Sequence, residues 1–244
     1  MAKAQPAKES LSCIATASLK RTARVTALAA ALTWPPAPMY PQPPKWPDTS
    51  VTRLQALALI QSLNAEILGS RSATLSLEKW CRDHKLAAEP RIVARVIGVV
   101  YVAPASEQLE RLEVTSAGEV KYRRVHLECG GHILSVADNW YVPARLNAEA
   151  NRLLETTGTP FGTAVRSLKP YRRTLSVKLL WLPLPEGWEV GATAAKPASE
   201  AGSLAIPDAL FEHQAILYTR DHKPFSEVHE VYQRQILAFP PPRL

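Results

Sequence analysis

Apolar residues recur at Val51, Leu54, Leu57, Ile60, Leu63 and Ile67, the spacing of one helix face, with Ser50 or Asp48 placed to cap it and Gly69 to stop it. A second helix is predicted from Ser72-Ala73-Thr74-Leu75, turning Leu77, Trp80 and Cys81 inward, with Ser72 or Thr74 as its cap. Residues 91–102 are a β-branched run and read as a strand buried on at least one face. A short helix over 106–112 and a turn at 115–118 follow.

Residues 122–173 carry the clearest pattern. A strand with Arg123 and Arg124 among Val125, Leu127 and Cys129 runs into Gly130-Gly131, which supplies the positive φ angles of a tight hairpin. The returning strand, 133–142, ends at Pro143, which cannot donate to a ladder. Asn147 is placed to cap a short helix with Leu153 and Leu154 inward, stopping near 156–158, and Thr159-Pro160-Phe161-Gly162 forms a fixed turn. Arg172 and Arg173 lead into a strand over 174–182. A long loop without periodicity spans roughly 184–207, and a last hairpin pairs 210–219 with 224–239 around Arg220-Asp221-His222-Lys223. The pattern predicts an α+β fold: one antiparallel sheet with helices packed mainly on one face, formed by residues 48–244.

Residues 1–47 read apart from that domain. They are rich in Ala and Pro, with basic residues ahead of the apolar run 25–32, which is the order of an export signal. A disordered tail accounts for the same residues equally well. The net charge of +7 concentrates there: Lys3, Lys8, Lys20, Arg21 and Arg24 stand against Glu9, leaving +3 for the remainder. That balance does not argue for nucleic acid as a partner, and no apolar run reaches the roughly 20 residues of a membrane span.

In order and spacing, Arg124, Val142-Pro143 and Thr159-Pro160-Phe161-Gly162 resemble chorismate lyase, and more distantly the effector-binding domains of one class of bacterial transcription regulators. The resemblance implies a cavity for a small carboxylate and elimination of pyruvate from chorismate to give 4-hydroxybenzoate, with neither cofactor nor metal. It implies Arg124 as the carboxylate-binding arginine, Phe161 in the turn whose backbone N–H groups face the ligand, and Ala73 lining the cavity at the start of the second helix. Glu230 matches the family's acidic residue, with Glu227 as its competitor. The resemblance to regulators supports an alternative, a non-catalytic binding module for an aromatic or cyclic carboxylate. Chorismate is cytoplasmic, whereas a cleaved signal would place the protein outside the cytoplasm.

Elementary geometry leaves part of this open. Arg123 and Arg124 must point to opposite faces of their strand, and alternation with Val125 and Leu127 favours Arg123 inward, while spacing to Pro143 favours Arg124. Arg173 also keeps the family's distance from the turn. No GxSxG, GxGxxG or phosphate-binding loop occurs, and His126 with Glu128 lacks a third metal ligand at recognisable spacing. Cys81 and Cys129 both face the expected core, either as separate thiols or as a bridge if the mature chain meets an oxidising compartment.

Overall fold

Gly130 and Gly131, at φ of 56° and 86°, close the hairpin between β2 (Lys121–Cys129) and β3 (His132–Tyr141). The computed structural model describes residues 44–98, 101–191 and 202–243, and in it this hairpin belongs to a six-stranded sheet. The other strands are β1 (Val93–Val96), β4 (Tyr171–Leu179), β5 (Ala209–Tyr218) and β6 (Pro224–Gln233). Their order across the sheet is β1-β2-β3-β6-β5-β4, with every neighbouring pair antiparallel.

The register sets which side chains share a face. Val125 lies opposite Ala137, Ala137 opposite Glu230, and Glu230 opposite His213. Against this face pack α1 (Ser50–Gly69) and α2 (Ala73–Asp83), through Ile60, Leu63, Ile67, Leu77 and Cys81, all fully buried with Phe211 and Tyr232. Next to them α4 (Ala148–Thr156) and α5 (Phe161–Ala164) bury Leu154, Phe161 and Ala164 against Tyr141, Ala215 and Val228. Among the described residues, the segment around α3 (Ser106–Arg111) covers the other face, with Leu112, Val114 and Val120 on Trp140. The architecture is therefore α+β with helices mainly on one face.

Several boundaries differ from the sequence reading, each for a local reason. Thr49 caps α1, accepting from the Thr52 amide at 3.2 Å, because Asp48 is drawn into a 2.6 Å ion pair with Arg53. Of the strand expected over 91–102, the described residues are regular only over Val93–Val96, at the sheet edge, and residues 99–100 lie outside them. The strand expected to reach 239 ends at Gln233, since a strand cannot bury the adjacent Ile236 and Leu237 on one face, and a 3₁₀ turn over Arg234–Leu237 does. Asn147 caps α4 as expected, accepting from Ala150 at 2.8 Å. Trp46, read from the sequence as part of the 1–47 tail outside the domain, is 1% exposed and donates its indole N–H to the Phe239 carbonyl at 3.0 Å. The apolar run 25–32 and residues 192–201 of the expected loop lie outside the described residues.

Cys81 and Cys129 form a disulfide, with Cα atoms 6.5 Å apart, that ties α2 to the end of β2. It therefore anchors the helix whose N-terminus forms one wall of the site.

Candidate functional site

Helix α2 starts without a side-chain cap. Ser72 is its N-cap residue, but the hydroxyl makes no capping bond and is buried without a partner. The first-turn amides of a helix have no intrahelical acceptor, so they remain free to bind something else. Ser72, Ala73 and Thr74 line a cavity of about 40 Å³ beneath the helix. Gly162 lets α5 close against this turn: a Cβ there would stand 2.7 Å from the Ser72 hydroxyl and 2.9 Å from that of Thr74.

The sheet forms the opposite wall. Val125, Ala137 and Val228 give it an apolar floor, into which Asn139, Arg172 and Glu230 project. Asn139 is 2% exposed and its side-chain amide makes no hydrogen bond among the described residues. Arg172 donates from Nη2 to Glu230 Oε2 at 2.7 Å, and Tyr232 donates its hydroxyl to the same oxygen at 3.0 Å. The Nε of Arg172 is buried with no partner. Burial alone would pull the Arg172 guanidinium down, but the Glu230 charge holds it above its ordinary value. Burial, and then the same charge, push Tyr232 well above the usual phenol range.

Ala73, Phe161 and Glu230 line this one cavity. Arg124 does not, which corrects the arginine assignment. Its Cα partner is Asp138, whose own partner is His229, so Arg124 points to the face opposite Glu230 and lies 3.6 Å from Asp138. Strand alternation turns Arg123 inward instead. There Nη2 of Arg123 donates to the carbonyls of Thr157 and Thr159 at 3.3 and 3.1 Å, while Nε and Nη1 find no partner. Burial lowers its pKa. Glu227, the competitor of Glu230, also lies on the outer face, held by Arg111 at 2.9 Å. Arg173 is exposed.

The arginine that meets Glu230 in the cavity is thus Arg172, and Asn139 and Arg71 also line it without having been expected there. Asn139 was legible in principle, as a polar residue between Ala137 and Tyr141 at strand period. Arg172 was not, because β4 is irregular between Thr174 and Ser176, and alternation counted back across that break fails. His126 and Glu128 do approach, at 3.8 Å, with Arg95 on the same carboxylate. Among the described residues no three of His, Cys, Asp and Glu gather as metal ligands would.

No known family profile matches the chain. It is 47% identical over 202 residues to the uncharacterized protein y4mC of Sinorhizobium fredii, covering 82% of this chain and 84% of that one. Among solved structures it is similar to PhnF from Mycobacterium smegmatis, at 15% identity over 70% of this chain and 68% of that one, with a TM-score of 0.45. A GntR-family transcriptional regulator from Enterococcus faecalis is similar at 10% identity over 58% and 93% of the two chains, with a TM-score of 0.34. Likenesses of this size say nothing of ligand or partner.

Proposed function

The chain belongs to the family of y4mC of Sinorhizobium fredii, and we propose that it is a binding module for a small anionic molecule, with a cyclic carboxylate as the ligand class. One observation carries this reading: the uncapped first turn of α2, the Asn139 amide and the Arg172 guanidinium all border one cavity with hydrogen-bonding capacity unspent. A helix N-terminus attracts negative charge through its free amides and its dipole. A guanidinium adds a fixed cation shaped for a carboxylate. The cavity's 40 Å³ takes roughly three water-sized groups, which suits an acidic group better than a whole ring.

The second reading, elimination of pyruvate from chorismate, is favoured by Glu230 and Phe161 standing at the same cavity. It requires an acid placed to give a proton to the ether oxygen. Oε2 of Glu230 instead accepts from both Arg172 and Tyr232, an arrangement that suits a structural carboxylate. We therefore place binding ahead of lysis.

Calorimetric titration with 4-hydroxybenzoate, chorismate and inorganic phosphate tests the reading. At least one is expected to bind, and Asn139→Leu to weaken it. Failure of all three to bind the wild-type protein would overturn the proposal. Release of pyruvate from chorismate would replace it with the lyase reading.

A further inference from the structure

The cavity under α2 opens outward into a vestibule of about 320 Å³, with Arg71, Ser72, Gly162 and Pro170 bordering both. Arg166, Lys169 and Arg220 join Arg71 around the vestibule, and no carboxylate lines it. These four cations come from three separate places: the link between α1 and α2, the link between α5 and β4, and the turn between β5 and β6. Their convergence is made by the fold, not by a run of basic sequence.

None of the four makes an ion pair or a side-chain hydrogen bond among the described residues. That sets them apart from other exposed cations of this protein. Lys79 meets Asp83 at 3.2 Å, Arg152 meets Glu149 at 2.7 Å and Arg234 meets Asp208 at 3.1 Å. Lys169 also sits at φ 49° and ψ 53°, a left-handed backbone conformation that glycine would adopt more cheaply. Like charges gathered around a partly enclosed space raise the local concentration of anions.

We propose that the vestibule is a second anion subsite, so that the ligand carries two acidic groups. One enters the inner cavity beneath α2, between Asn139 and Arg172. The body of the molecule fills the vestibule, and its second acidic group, a carboxylate or a phosphate, meets Arg166, Lys169 and Arg220. The vestibule has the volume for a substituted ring that the inner cavity lacks. This inference rests on the inner cavity being a ligand site, and it adds the ligand's second charge and its direction.

The test compares two probes built on one ring, 4-hydroxybenzoate with a single acidic group and 4-carboxyphenyl phosphate with two. Calorimetry would be run on the wild-type protein, on the rim variant Arg166→Gln/Lys169→Gln/Arg220→Gln, and on Asn139→Leu. The wild type is expected to bind the two-ended probe about tenfold or more tightly. The rim variant should lose that preference while holding 4-hydroxybenzoate nearly as before, and Asn139→Leu should weaken both probes together. All three rim side chains are exposed, so the variant should keep its melting temperature; Arg220→Gln alone should move the preference in the same direction by less. Equal affinity of the wild type for both probes, or a preference that survives in the rim variant, would overturn the second subsite and leave the inner one standing. Failure of both probes to bind the wild type would remove the second subsite, and failure of chorismate and phosphate as well would remove the inner one.

Discussion

Arg172 and Glu230 meet at 2.7 Å with side chains only 5% and 7% exposed, so an ion pair stands in the wall of a cavity lined largely by apolar residues. Such a pair contributes little net stability compared with apolar residues of the same volume. Losing one partner is different, because the survivor is a buried uncompensated charge, at a cost of about 3–5 kcal/mol. Glu230→Leu should therefore destabilise by that amount in urea unfolding, whereas Arg172→Met/Glu230→Leu should lie close to the wild type. A single variant that costs under about 1 kcal/mol would mean that water reaches the pair freely.

Gly162 supplies the second prediction. A Cβ there would press on the hydroxyls of Ser72 and Thr74 at 2.7 and 2.9 Å, both inside van der Waals contact. Gly162→Ala should cost about 1–3 kcal/mol by overpacking, measured as a shift in the unfolding midpoint. Adding Ser72→Ala should recover part of the loss. If Gly162→Ala is neutral and Ser72→Ala restores nothing, α5 and α2 do not meet as described.

Much of this fold was legible because its signals are local. Gly130-Gly131, Pro143 and the Asn147 cap each act within a few residues, and the elements around them lie where those residues predict. The boundaries that moved depend on distant partners. The indole of Trp46 bonds to a carbonyl 193 residues away, and nothing near it in sequence distinguishes it from the prolines alongside. At the cavity, Glu230, Phe161 and Ala73 came from a resemblance of motifs, while the arginine did not transfer. Arg123 and Arg124 are adjacent, and a one-residue choice moves a side chain to the other face. Arg172 reaches the cavity from an edge strand with an irregular register, which only the assembled sheet reveals.

The Cys81–Cys129 bond joins residues 48 apart in sequence, and closing a loop of that length constrains the unfolded chain. The chain-entropy estimate gives about 4 kcal/mol. Cys81→Ala/Cys129→Ala should lower stability by roughly that amount, as should reduction by dithiothreitol at neutral pH. Because α2 carries the anion-facing amides, the same treatment should weaken any ligand bound beneath it. A melting temperature indifferent to reductant, with neither Cys81 nor Cys129 titrating as a thiol, would mean that the bond resists reduction while the protein is folded. Unchanged stability in the double variant would contradict the estimate directly.

His213 carries the last prediction. It is fully buried on β5, and its Nε2 donates to Asn64 Oδ1 on α1 at 2.7 Å, while Nδ1 has no partner. Phe211 and Tyr232 pack beside it, and of the nearby charges Glu230 favours its protonated form while Arg172 opposes it. Burial outweighs both and pulls the imidazole down to about 4 from an ordinary 6.5. The folded value lies below the unfolded one, so protons bind the unfolded chain better. Stability is complete above about pH 6.5 and falls as the pH drops toward 4, by about 3 kcal/mol for the full interval. Burial also lowers His84, His126 and His132, which adds acid sensitivity from the same direction. His213→Gln isolates the one contribution, because glutamine keeps a donor for Asn64 but does not titrate. Urea unfolding of both proteins between pH 7.5 and 4.5 should give curves that converge toward acid, the wild type losing on the order of 2–3 kcal/mol more than the variant. Curves that stay parallel would mean that His213 takes up its proton as readily in the folded protein as in the unfolded chain, with Glu230 offsetting the burial.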